Sequence, residues 1–98
     1  MPVGYGAEGL EVFEVSKDDR RIVMGECKSK RIAKRVANAL VTYLAGLDND
    51  RSTVTHSIVG FSVYGADCLI HCRTAAAAAT ICRAMNVYRH KPHRKEKT

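Results

Sequence analysis

The chain repeats itself, and this constrains its fold more than any other feature. Cys27-Lys28-Ser29 matches Cys72-Arg73-Thr74 at a spacing of 45 residues. At the same spacing Ala33 meets Ala78, Val36 meets Ile81, Ala39 meets Ala84, Leu40 meets Met85 and Tyr43 meets Tyr88. Upstream, Phe13-Glu14-Val15 matches Phe61-Ser62-Val63 at a spacing of 48, which predicts a hairpin loop three residues shorter in the second copy. Two copies are too few for a solenoid, which needs about three stacked units. A duplicated half-domain closing on itself around a pseudo-two-fold axis fits instead.

Each copy reads as strand, turn, strand, helix. Leu10–Val15 is rich in strand-forming residues, Ser16–Arg20 has the chemistry of a turn, and Arg21–Cys27 returns. In the second copy, 56–63 runs through Tyr64-Gly65-Ala66-Asp67 into a returning strand at 68–72. Ser29 is a good N-cap for a first helix that stops at Gly46, and Ile32, Ala33, Val36, Ala37, Leu40 and Leu44 line one face of it. Thr74 is the equivalent cap of a second helix carrying Ala78, Ile81, Cys82, Met85 and Tyr88, and Pro92 forbids its continuation. The prediction is an α+β fold built from two ββα repeats, 10–46 and 56–88. It has a four-stranded antiparallel sheet with both helices on one face. Residues 1–9 are expected to be a flexible N-terminal segment and 89–98 a disordered basic tail.

Strand alternation assigns faces. Phe13, Val15, Phe61 and Val63, with Val23, Gly25, Cys27, Cys68, Ile70 and Cys72, are expected to face the helices. Val12, Met24, Ile58 and Leu69 then fall on the outer face among Glu26, His71 and Tyr64. An apolar cluster there predicts a dimer or partner interface formed by Met24, Ile58, Tyr64 and Leu69. The alanine run Ala75–Ala79 suits close helix-on-helix packing inside the domain.

The net charge of +6 is concentrated in two places. Lys28–Arg35 holds five cations and no acid, and Arg89–Thr98 contributes four net positive charges, so the rest of the chain is acidic by three. Lys30 and Arg31 stand in the first turn of a helix, whose dipole favours anions, and Lys34 and Arg35 repeat the same sign four residues later. A sequence chosen for stability alone would place acids there. The second helix has only Arg73 before a neutral run, so the cationic surface belongs to the first copy. Lys28, Lys30, Arg31, Lys34 and Arg35, with Arg73, Arg89, Lys91, Arg94 and Lys95, are the candidate contacts to nucleic acid or an acidic protein surface. Neither basic segment carries interleaved aromatics, which argues against single-strand binding by base stacking.

Other chemistry is thinly represented. Four Cys and four His include no Cys-x2-Cys or His-x3-His pair, so no metal site and no cofactor are expected. His71 and Cys72 are adjacent on a strand and point to opposite faces, so they do not pair as base and nucleophile. Asp48-Asn49-Asp50 lacks the ligand order of a calcium loop, and Gly4 and Gly6 make no phosphate cradle. No enzyme activity and no small-molecule substrate are expected. The absence of a signal-like start and of a bilayer-length apolar run predicts a cytoplasmic chain with reduced cysteines and no membrane partner.

In size and layout, with the Cys-Lys-Ser and Cys-Arg-Thr junctions leading into helices, the chain resembles small accessory proteins of bacteriophages and plasmids. That resemblance implies a second function beside the cationic binding protein. It would be an inhibitor, anti-CRISPR-like, that blocks a host protein complex through protein–protein contacts.

Overall fold

The computed structural model describes residues 2–46 and 55–90, with side chains described as far as Asn86. Its elements are β1 (Gly4–Glu8), β2 (Glu11–Val15), β3 (Arg21–Cys27), α1 (Lys30–Leu44), β4 (Ser57–Val59), β5 (Ser62–Tyr64), β6 (Cys68–Cys72) and α2 (Ala75–His90). The class is α+β as expected, but the sheet is six-stranded and antiparallel, in the order β1-β2-β3-β6-β5-β4. The expected four strands are corrected to six, and the repeat is βββα.

Both added strands arise from two-residue turns at glycine. Gly9 (φ 61°) and Gly60 (φ 65°) take left-handed backbone that a side chain would strain. Each is followed by a residue of negative φ, Leu10 or Phe61, the pattern of a type II′ hairpin. Gly9 folds residues 4–8, expected to be flexible, onto β2 as β1. Gly60 splits the single strand expected over 56–63 into β4 and β5. The glycines also reset the alignment. Gly9 and Gly60, and the fully buried Val12 and Val63, correspond at a spacing of 51 rather than 48. The likeness of Phe-Glu-Val to Phe-Ser-Val therefore joins residues that do not occupy equivalent places.

The spacing of 45 over the helices holds in the core. Ala33 and Ala78, Val36 and Ile81, Ala39 and Ala84, and Leu40 and Met85 are all at most 1% exposed. Both helices pack on one face of the sheet and against each other. Ser29 Oγ accepts a hydrogen bond from the Ile32 amide at 3.2 Å, and Thr74 Oγ1 accepts one from the Ala77 amide at 3.0 Å. Each cap satisfies one of the amide donors that a helix start leaves unpaired. Ser29→Ala and Thr74→Ala are each expected to cost about 1 kcal/mol. The double variant should lose the sum, since the caps are at separate helices, as urea denaturation would measure.

Face assignment follows two equivalent β-bulges. The β2–β3 register shifts between Val12 and Phe13, and the β5–β6 register shifts between Val63 and Tyr64. The extra residue is Met24 in β3 and Leu69 in β6, again 45 apart. Each bulge turns its residue inward, so Met24 (3% exposed) and Leu69 (8%) join the helix-side core with Val12, Val63, Ile70, Cys27 and Cys72. The expectation that Val12, Met24, Ile58 and Leu69 lie on the outer face is corrected: the bulges turn Met24 and Leu69 inward, Val12 is buried by the phase of β2, and Ile58 pairs with the inward Val63. Phe13 moves the other way. It lies outside the main core, its ring against the backbone of Gly6 and beneath the Arg21 guanidinium at 4.4 Å. Phe61 is 54% exposed at its hairpin tip.

A cationic helix face as the candidate binding surface

Helical geometry separates α1 into two arcs. At about 100° per residue, Ala33, Val36, Ala37, Ala39 and Leu40 fall on one side and are buried. Lys30, Arg31, Lys34 and Arg35 occupy an arc of about 140° on the opposite side, and all four are exposed. Lys28, just before the cap, is exposed as well. The first turn of α1 contains no acid.

The ion pairs of the described residues lie elsewhere. They join Arg20 to Asp18 at 3.4 Å, Arg21 to Glu8 at 2.7 Å and Arg73 to Glu11 at 3.9 Å. None includes a cation of α1. By register, Glu8, Glu11 and Glu26 share the outer sheet face and are exposed. On the sheet face Glu8 and Glu11 are each engaged by an arginine, whereas no cation of α1 has an ion pair among the described residues. An approaching polyanion is drawn to the exposed cations of α1.

The pseudo-two-fold provides an internal comparison. The counterparts of Lys30, Arg31, Lys34 and Arg35 in α2 are Ala75, Ala76, Ala79 and Thr80. The same backbone position in the same fold therefore needs no cation. The paired clefts repeat the contrast. One, of about 210 Å³, is lined by neutral groups such as Ile22, Met24, Ala77 and Thr80, together with Glu14. Its counterpart, of about 170 Å³, carries Arg35, Asp67 and His56 beside Ile32 and Leu69. His56 is held there from α2: Asn86 accepts from its amide at 2.8 Å and donates to its carbonyl at 3.0 Å.

The other candidate contacts scatter. Arg73 is engaged with Glu11 on the sheet side. Arg89 falls in the last turn of α2, and Lys91, Arg94 and Lys95 lie outside the described residues. Of the expected apolar interface, Met24 and Leu69 are core residues, while Ile58 is 42% exposed and Tyr64 is half-buried. Only Ala78 of the alanine run is fully buried.

Sequence reasoning missed one grouping. Ser62, Cys68 and His71 meet on the outer sheet face, with Ser62 Oγ 2.6 Å from His71 Nδ1 and Cys68 Sγ 3.6 Å from His71 Nε2. Strand alternation places residues three apart on opposite faces, and only the bulge at Leu69 puts Cys68 beside His71. The signal was the match between Met24 and Leu69 in the repeat, which marks a shared irregularity.

Fold and surface together define a duplicated βββα protein with one cationic helix. No family model, curated protein or solved structure matches the chain. Among the described residues no helix is long and apolar enough to cross a membrane.

Proposed function

We propose that this chain is a small non-enzymatic binding protein that grips the phosphate backbone of a nucleic acid with the N-terminal half of α1. Lys28, Lys30, Arg31, Lys34 and Arg35 form the contact, and the basic run from Lys91 to Lys97 adds charge that favours the same partner. The observation that carries this reading is the neutral counterpart of the patch in α2, which leaves the cations without a folding role. Lys30 and Arg31 oppose the helix dipole at a cost of about 0.3–1 kcal/mol each, and bound phosphate would reverse that sign. The lack of aromatics among the cations favours backbone contact over base stacking.

Fluorescence anisotropy of a short labelled duplex, titrated at several salt concentrations, tests this. Each neutralised phosphate contributes about −0.9 to the slope of log K against log salt, so five contacts predict a slope near −4.5. Binding that ignores salt would overturn the proposal. So would a complete failure to bind duplex alongside salt-sensitive capture of an acidic protein.

A further inference from the structure

The outer face carries a grouping that the binding surface does not use. Ser62 pairs with His71 across β5 and β6, and the bulge brings Cys68 to the same side. His71 has both ring nitrogens occupied, Nδ1 by the Ser62 hydroxyl and Nε2 by the Cys68 sulfur. The imidazole is therefore fixed with one nitrogen on the thiol, in the order of nucleophile, base and orienting group. His71 is exposed and Cys68 half-buried, so reagents have access.

The remaining cysteines are placed differently. Cys27 and Cys72 are buried in the core, and desolvation pushes their thiols up to about 12 and about 11. The Cys82 thiol is raised by burial and donates to the His56 carbonyl at 3.4 Å. A thiol held protonated is a poor nucleophile, so burial disfavours reaction at these three.

We propose that Cys68 is a reactive thiol that undergoes exchange with low-molecular-weight disulfides, with His71 as its base and Ser62 as the positioning residue for the imidazole. Nε2 of His71 takes the S–H proton as the Cys68 sulfur attacks one sulfur of the disulfide. A new S–S bond forms to Cys68 as the S–S bond of the reagent breaks, and the departing thiolate takes the proton back from Nε2. One disulfide is consumed and one is formed, so no further oxidant or reductant is needed. Glu26 is the cross-strand neighbour of His71, and Glu11 beyond it on the same face is engaged with Arg73. The Glu26 carboxylate beside His71 favours a disulfide of positive charge over an anionic one.

The test treats the full-length reduced protein with cystamine or with oxidised glutathione and locates adducts by peptide mass spectrometry. A single adduct at Cys68 is expected, forming faster with the cationic reagent. Its rate should exceed that of the same thiol in the urea-unfolded chain. His71→Asn should slow it by about 10²-fold or more with Cys27 and Cys72 still protected. Ser62→Ala should slow it by a smaller factor, and Ser62→Thr should restore it, which a purely structural serine would not show. If His71→Asn uncovers Cys27 and Cys72, the Ser62 pair decides. Equal rates in folded and unfolded chains, or adducts spread over several cysteines in the folded chain, would overturn the proposal. So would unchanged rates in the His71 and Ser62 variants.

Discussion

Replacing Lys30, Arg31 and Lys34 by Ala and Arg35 by Thr should lower affinity for duplex nucleic acid by roughly three orders of magnitude at about 0.1 M salt. These are the residues that α2 carries at the corresponding positions, so the variant writes one half of the molecule into the other. If each cation neutralises one phosphate, each contributes about 0.9 to the salt slope, and the slope should fall by about 3.6. Stability should move in the opposite direction. Alanine is the best helix former, and removing two first-turn cations relieves their conflict with the helix dipole. The variant should therefore melt at the wild-type temperature or a few degrees above it. Anisotropy and thermal denaturation on the same preparation check both halves of the expectation. A variant that binds as well as wild type would detach function from α1 entirely. One that binds weakly but also melts early would show that the cations serve the fold.

The parts of this molecule that were readable in the sequence are those set by short-range chemistry. Ser29 and Thr74 mark helix starts because a hydroxyl at that place captures a specific amide, and both do so. The spacing of 45 is recovered intact in the buried helix faces, since repeated volumes are what a repeated core demands. The strands were harder. β1, with the sequence Gly-Tyr-Gly-Ala-Glu, has little intrinsic strand preference and is held by its hairpin and by α1. Nothing local announces such tertiary support. The bulges did most damage to the face assignment, because one inserted residue reverses every side chain after it. They place Met24 and Leu69 in the core and Cys68 beside His71, whereas Phe13 faces outward because the uninterrupted β2 alternates in the opposite phase to the one expected. The charge pattern survived these errors because exposure on α1 depends on helical period alone.

Gly25→Ala should destabilise the fold by about 3 kcal/mol or more, a large part of the 5–15 kcal/mol that holds a typical domain together. Gly25 is buried in β3, between Val12 of β2 and Cys72 of β6. A Cβ at this position would collide with the His71 carbonyl oxygen and stand 2.9 Å from Cys72 Cα. Both obstacles are backbone, so no rotamer change relieves the contact and the two strands must separate. The consequence is global because β3 and β6 form the strand junction between the duplicated halves, through Gly25↔Cys72, Glu26↔His71 and Cys27↔Ile70. Beyond it, the halves are joined chiefly by α1 packing on α2. The counterpart of Gly25 in the second half is Ile70, so the close approach is confined to one side of the pseudo-two-fold. Equilibrium urea denaturation should show a markedly lower midpoint for Gly25→Ala, and a slope below that of wild type would report halves that no longer unfold together. A variant as stable as wild type would mean that β3 and β6 do not meet in this register, and the six-stranded sheet would have to be redrawn.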